Sequence, residues 1–381
     1  MNIGFEAKRA FHNTTGLGNY SRTLIAGLAQ FYPQHQYFLF NPKPSEKFPK
    51  PEFENVHEIL PSGFLSKKLS SLWRSKWITN DLQKLNIQLY HGLSHEIPVG
   101  IDRTTIPSVV TIHDLIFERY PEQFNKIDVQ IYRKKFRYAC THANRIIAIS
   151  EQTRKDIIEI YGIDANKIDT CYQSCDPVFS QQVDEKEKQL VREKYHLPPS
   201  FFLYVGSIIE RKNLLNICKA LHLMREQFTV PLVVIGDGKA YKNEVKNYIV
   251  KHNLSGRIIF LSETNPIDKN TRTLATIYQM ALAMVYPSFF EGFGIPVLEA
   301  LWSRVPVITS SASCLPETGG DAALYVDPSS PEQIAEAMQR VYTDEQVRKQ
   351  MITKGLVHAQ SFTLEKCTRN VMEVYKKLVH E

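Results

Sequence analysis

Short β-branched or aromatic runs alternate with amphipathic stretches of helical period along nearly the whole chain. In the first half the runs predicted as strands are Asn2–Glu6, Tyr37–Phe40, Val56–Leu60, Leu89–His91, Ser108–His113, Arg145–Ile149 and Ile168–Tyr172. Several are apolar at consecutive rather than alternate positions, as expected of parallel strands covered on both faces. Tyr20–Phe31 and Lys126–Ala143 read as crossover helices between them. The rhythm breaks at Asp176-Pro177, within Ser174–Ser180, and a charged helix, Asp184–Tyr195, follows. A hinge is expected there. A second alternation then runs through Phe201–Gly206, Leu232–Ile235, Ile258–Leu261, Ala283–Tyr286, Val307–Ser310 and Ala323–Val326. The expected class is α/β, with two Rossmann-like doubly wound domains, 1–179 and 180–360, facing a central cleft. The last helix, Leu364–Leu378 within 361–381, follows no strand and is expected to pack back on the first domain.

Composition agrees with this plan. At 381 residues the chain is too long for one ordinary core, and 43% apolar with 23% charged residues is a globular balance. A net charge of +6 is too mild to argue for nucleic acid, which is not expected as a partner. Charges interrupt Met1–Arg9 before any secretory apolar region develops, and no run approaches the roughly 18 apolar residues of a membrane span. The six cysteines are scattered, and Cys171 and Cys175 lack a second Cys or His pair at zinc spacing. They read as reduced thiols of a cytoplasmic protein, and no metal site is expected.

Chemistry concentrates in Ser288–Ala300, where a strand runs into Glu291-Gly292-Phe293-Gly294-Ile295-Pro296 and a helix carrying Glu299. Proline fits a first helical position because its missing N–H would be unpaired there. The glycines allow close approach of a ligand, with the amides of Phe293, Gly294 and Ile295 at a positive helix end. Two carboxylates eight residues apart can accept charge-assisted bonds from hydroxyls. One such glutamate alone would read as a solvated helix face. Upstream, a strand ends at Gly206 and is followed by Arg211-Lys212, fixed cations able to stabilise an anionic leaving group. An Arg-Lys pair is ordinarily surface, but here it stands at a strand's carboxyl end, where open α/β sheets bind ligands.

Three first-half segments add to this. Gly16-Leu17-Gly18 sits between the first strand and first helix, a phosphate-loop position, although Ser21 stands where a dinucleotide fingerprint needs its third glycine. Val110–Asp114 is a strand ending in His113, and Ser150 reads as a helix cap. Phe64–Trp77, if helical, gathers Leu65, Leu69, Leu72 and Trp73 on one face, with Lys67, Lys68, Arg74 and Lys76 around it and no acid nearby. Such a helix can lie at a membrane surface or pack its apolar face on the first sheet, and both readings stand.

The run Glu291–Ala300 resembles the Glu-x7-Glu signature of retaining glycosyltransferases of family 4, and Arg304–Ile308, Leu315–Glu317 and Gly319–Ala323 continue the likeness. The resemblance covers most of the chain and is strongest from about residue 200 to 330. It implies the GT-B fold, a nucleotide-sugar donor and no metal. Arg211 and Lys212 would then hold the donor diphosphate, Glu291 the transferred sugar and Glu299 the ribose. Gly16, Gly18, Gly206, Phe293, Gly294 and Ile295 would line the donor, and His113 would contact its sugar. His91 and His95 lie where acceptor loops are expected. The segments Tyr90–Pro98 and Thr111–Pro121 are similar to bacterial mannosyltransferases that build surface polysaccharides. A glycan or lipid-linked acceptor is therefore expected, with GDP-mannose as donor and UDP-hexose as the alternative. The implied reaction is front-face transfer with retention, with closure at the hinge excluding water. Two features depart from the family: Leu261–Thr273 is longer than its usual turn, and Ser262 stands where glycine is common, which leaves the base open. A nucleotide-sugar epimerase, a nicotinamide-dependent oxidoreductase and a non-catalytic sugar-binding scaffold are the competing readings. The incomplete glycine fingerprint counts against the oxidoreductase and the intact glutamate motif against the scaffold.

Overall fold

The computed structural model describes residues 1–50, 52–226, 228–264 and 270–379. The chain divides into two units, Met1–Cys175 with Phe362–Glu381, and Asp176–Ser361. The first break therefore falls at Cys175 and not at residue 179. The short helix Pro177–Ser180 belongs to the second unit, because Phe179 is buried edge-on against Tyr278 at 5.5 Å.

The first unit is built on a seven-stranded parallel sheet, in which β1 (Asn2–Glu6), β2 (Gln36–Phe40), β3 (Val56–Ile59), β4 (Leu89–Gly92), β5 (Ser108–Ile112), β6 (Arg145–Ala148) and β7 (Ile168–Thr170) run in the order β3-β2-β1-β4-β5-β6-β7. β5 is buried at every position, as its unbroken apolar run requires when helices cover both faces. The second unit has six parallel strands, β8 (Phe202–Val205), β9 (Leu232–Ile235), β10 (Ile258–Phe260), β11 (Ala283–Tyr286), β12 (Val307–Ser310) and β13 (Leu324–Val326), in the order β10-β9-β8-β11-β12-β13. Both are doubly wound sheets. Strand order reverses between β1 and β4 and between β8 and β11, and loops diverge at such a switch to leave a crevice at the strands' carboxyl ends.

The C-terminal helix, Leu364–Lys376, packs in the first unit against the helix Gly16–Phe31. Gly27 makes this approach close, since a Cβ there would collide with the Thr368 hydroxyl. Lys377 pairs with Asp169 at 2.6 Å beyond it.

Phe64–Trp77 is not one amphipathic helix. It breaks into turns over Phe64–Lys68 and Ser70–Leu72, then a wider π-type turn over Trp73–Trp77 that leads into the helix Ile78–Lys84. Its two ends part company. Trp73 is buried and donates its indole N–H to Asp81 at 2.7 Å, whereas Phe64 is 81% exposed and Leu65 63%. The expectation that no acid lies near its cations fails at Arg74, which pairs with Glu6 at 3.3 Å and Glu96 at 2.9 Å. Those acids come from distant parts of the sequence, and a buried guanidinium needs such partners. All six cysteines are free and buried. Among the described residues no helix is long and apolar enough to cross a membrane.

Candidate active site

At the switch point of the second unit, Gly206 follows β8 and the chain turns through Glu210–Lys212 into the helix Leu214–Leu223. The stem of Lys212 lies over Gly206, where a Cβ would come 3.0 Å from its ammonium nitrogen. β11 delivers Tyr286 and then Ser288 and Glu291 beside the same turn. The two loops are tied together, because the Phe289 amide donates to the Arg211 carbonyl at 2.9 Å. Asn213, in a left-handed conformation with φ of 63°, donates to the Pro287 carbonyl at 3.0 Å.

This scaffold brings Arg211, Lys212 and Glu291 together. The Glu291 carboxylate lies 3.0 Å from Arg211 and 3.9 Å from Lys212, and it accepts O–H bonds from Tyr286 at 2.8 Å and Ser288 at 2.9 Å. Arg211 also donates to the Phe290 carbonyl. Burial alone would push the Glu291 carboxyl up. Lys212 and Arg211, with the two hydroxyls, outweigh it and hold the group below the usual carboxylate range. Lys212 further sits 5.4 Å from the centre of the Tyr286 ring. Two cations share one carboxylate, so the cluster carries surplus positive charge in a mostly buried setting and is suited to an anion.

Gly294, with φ of +90°, caps the helix Ile295–Trp302, which holds Pro296 in its first turn and has no side-chain cap. Only glycine takes that backbone without strain. Phe293 is buried, and its carbonyl accepts from the Thr318 hydroxyl. Glu299, on the same helix, is not in contact with Arg211 or Lys212. It is buried and accepts a single O–H bond in this cluster, from Tyr278 at 2.9 Å. Burial pushes its carboxyl up to about 8, the Tyr278 bond opposing and Asp176 adding to the rise. Lys212 pulls it down, so that cation is felt by both glutamates.

In the first unit, Asn13 organises the glycine loop, its side-chain oxygen accepting from the Thr15 amide at 2.8 Å and the Gly18 amide at 3.2 Å. A Cβ on Gly18 would run into the Asn13 carbonyl, while Gly16 has open space. His113 directly follows β5, is 5% exposed and bonds through Nε2 to the Leu93 carbonyl at 2.9 Å. That carbonyl can only accept, so Nε2 carries the proton and Nδ1 holds the lone pair. Burial lowers the ring's pKa to about 4. Asp114 accepts from the Ile116 amide at 3.1 Å, and Ser150 caps the helix Glu151–Tyr161 by accepting from Thr153 at 3.0 Å.

His91 and His95, expected where acceptor loops lie, are both buried. His91 is fully buried, with Nδ1 against the Tyr375 hydroxyl at 2.6 Å and Nε2 against Thr111 at 2.8 Å. His95 is 8% exposed, stacks on Phe136 at 4.2 Å and receives the His113 amide at 3.4 Å. His91 lies within β4 and His95 just beyond it, and only packing could say which way they point. Sequence reasoning also gave no role to Tyr286, Ser288, Tyr278 and Asn213. Tyr286 and Ser288 flank the strand end and could have been suspected there, whereas Tyr278 had no local signal. Of the long segment Leu261–Thr273, residues 265–269 lie outside those described. Ser262 opens a turn of helix, and its buried hydroxyl has no hydrogen-bond partner among the described residues.

Two family models match the chain: Glycosyltransferase Family 4 over residues 14–178 and Glycosyl transferases group 1 over residues 185–357. The chain is 28% identical to O-antigen chain mannosyltransferase B of Escherichia coli, over 99% of its own length and 100% of that protein's. It is 27% identical to O-antigen chain mannosyltransferase RfbU of Salmonella typhimurium, over 67% of its own length and 65% of that protein's. Among solved structures, sucrose-phosphate synthase from Thermosynechococcus elongatus aligns with a TM-score of 0.79 at 19% identity, covering 99% of both chains. WaaG, a glycosyltransferase involved in lipopolysaccharide biosynthesis, aligns with a TM-score of 0.68 at 15% identity, covering 100% of both. At such identities the solved structures speak for the fold, a pair of Rossmann-like sheets.

Proposed function

We propose, from the premise that this chain belongs to glycosyltransferase family 4 and has the GT-B fold, that it transfers mannose with retention from GDP-mannose to a glycan or lipid-linked acceptor during surface polysaccharide synthesis. The observation that carries this reading is the pair Arg211 and Lys212 converging on the buried Glu291 carboxylate at a sheet switch point. A surplus of fixed positive charge suits a departing diphosphate, whose negative charge grows as the sugar–phosphate bond breaks. The choice of mannose leans on the O-antigen mannosyltransferases to which the chain is similar, one of them over 99% of its length.

In this reading Arg211 and Lys212 stabilise the nucleoside diphosphate, Glu291 accepts from sugar hydroxyls and Glu299 from the ribose. The first turn of the helix Ile295–Trp302 and the loop of Gly16 and Gly18 approach the phosphates, and His113 contacts the sugar. The anomeric C–O bond to the diphosphate breaks, the acceptor oxygen bonds to the same carbon on the same face, and the diphosphate takes the acceptor's proton. Positioning and electrostatics supply the rate without a covalent enzyme intermediate or a metal.

A thermal-shift series with GDP-mannose, UDP-glucose and other nucleotide sugars tests the donor, since a ligand of the native state raises its melting temperature. GDP-mannose should give the largest rise. No rise with any nucleotide sugar would remove the proposal, and an inverted anomeric centre in the product, read by NMR, would remove retention.

The reading extends to peripheral contact with an anionic membrane. Phe64, Leu65, Leu69 and Leu72 are exposed beside the exposed Lys67, Lys68 and Lys76, a combination suited to the lipid headgroup region. Vesicles containing anionic lipid should sediment the protein at low salt and release the Phe64→Glu/Leu65→Glu variant. Failure to sediment the wild type would end this part of the proposal.

A further inference from the structure

Tyr20 lies across two side chains at alternate positions of one run, Thr111 in β5 and His113 just after it. Its hydroxyl is 3.0 Å from the Thr111 hydroxyl, and its ring meets that of His113 edge-on, with centroids 4.6 Å apart. Thr111 is in turn 2.8 Å from Nε2 of His91, whose Nδ1 is 2.6 Å from the hydroxyl of Tyr375. Tyr375, His91 and Thr111 are fully buried and Tyr20 is 6% exposed, so water hardly competes for these bonds. Four side chains from three distant parts of the sequence thus form one hydrogen-bonded row.

Burial lowers the pKa of His91 to about 3, so its ring is neutral, with one nitrogen donating and the other accepting. The two bonds of His91 must therefore run the same way. Either Tyr375 donates to Nδ1 and Nε2–H donates to Thr111, or Thr111 donates to Nε2 and Nδ1–H donates to Tyr375. In both cases, deleting the Tyr375 hydroxyl strands a buried ring nitrogen and disturbs Thr111, the partner of Tyr20. Tyr375 belongs to the C-terminal helix, which reaches the first unit only after the chain has traversed the second.

We propose that Tyr20 is a positioning residue that fixes the ring of His113, and that Tyr375 sets Tyr20 through His91 and Thr111. The returning C-terminal helix then governs the His113 end of the site. This rests on the reading of His113 as the contact to the transferred sugar. The His113 ring has one nitrogen committed to Leu93, and the edge-on Tyr20 ring limits how far the imidazole can turn, so the orientation of the remaining nitrogen depends on where Tyr20 is held.

Tyr20→Phe and Tyr375→Phe each remove a hydroxyl and keep the ring. In the full-length protein each should lower kcat on the order of tenfold, the worth of one neutral hydrogen bond, with little change in KM for the nucleotide sugar. The double variant should be no slower than the slower single one, because a row cut twice is cut once. Effects that multiply, or a wild-type kcat in Tyr375→Phe, overturn the proposal. Histidine ring nitrogen–proton correlation spectra of nitrogen-15-labelled protein, assigned with His113→Gln, give a readout independent of turnover. His113 resonances should move in Tyr375→Phe, and resonances that stay put overturn the proposal. Thr111→Val cuts the row at its middle and should reproduce both changes if Tyr375→Phe fails to fold. If the wild type transfers no sugar from any donor, the functional reading falls while the ring resonances still decide the row.

Discussion

In the second unit Arg211 and Lys212 crowd a buried carboxylate that their charges keep ionised. In the first unit His91, His95 and His113 pack among aromatic rings, and burial holds all three below the usual histidine range. One set of loops therefore works with full charges and the other with neutral donors and acceptors. The difference follows from what each sheet supplies. Opposite charges on neighbouring strands can offset one another's desolvation, whereas histidines with no acid beside them give up their proton instead. A charged cluster can stabilise a charge that develops during a reaction. A neutral cluster can orient a hydroxyl without attracting stray ions.

The largest effect should come from the charged side. Lys212→Ala and Glu291→Gln are expected to lower transfer by about two to three orders of magnitude while circular dichroism stays native, as when a fixed donor to developing charge is lost. His113→Ala should cost only about one to two orders, consistent with a neutral contact. Steady-state kinetics on the three variants would break the comparison if His113→Ala proved the most damaging.

Next in size are two opposite pH dependences of stability. His91, His95 and His113 have folded pKa values below the 6.5 of an unfolded chain, so the unfolded state binds more protons as acid is added. Their contribution is intact above about 6.5 and is lost as pH falls toward 4. Glu299 has the reverse sign, since its carboxyl rises from 4.5 to about 8 and the folded state holds a proton that the unfolded state has released. Stability from this group therefore declines as pH climbs from about 4.5 to 8. Urea unfolding followed by peptide-resolved hydrogen exchange should show acid loss in the first unit and alkaline loss in the second. Glu299→Gln should remove only the alkaline loss.

The same carboxyl sharpens the comparison through binding. If ribose hydroxyls require ionised Glu299, donor affinity should rise with pH below about 8, by up to about tenfold per unit, and Glu299→Gln should flatten the curve. Isothermal titration at several pH values decides this. The smallest expected effect is none: if side-chain cations serve the diphosphate, as proposed, adding EDTA should leave the transfer rate unchanged.

The sequence alone determined the architecture. Thirteen apolar runs spaced by amphipathic stretches have few solutions besides parallel sheets covered on both faces, and all thirteen are strands within a residue or two of the expected bounds. It also pointed to Arg211, Lys212 and Glu291, because each lies in a loop that leaves the carboxyl end of a strand, and a strand's end fixes where its loop emerges. Tertiary structure decided what depends on partners far away in the chain. Arg74 meets Glu6 and Glu96, Glu299 meets Tyr278, and His91 is sealed between Thr111 and Tyr375. A residue's type limits which bonds it can make. Which of them it makes, and so whether its charge survives, depends on the dielectric and the neighbours that folding brings to it.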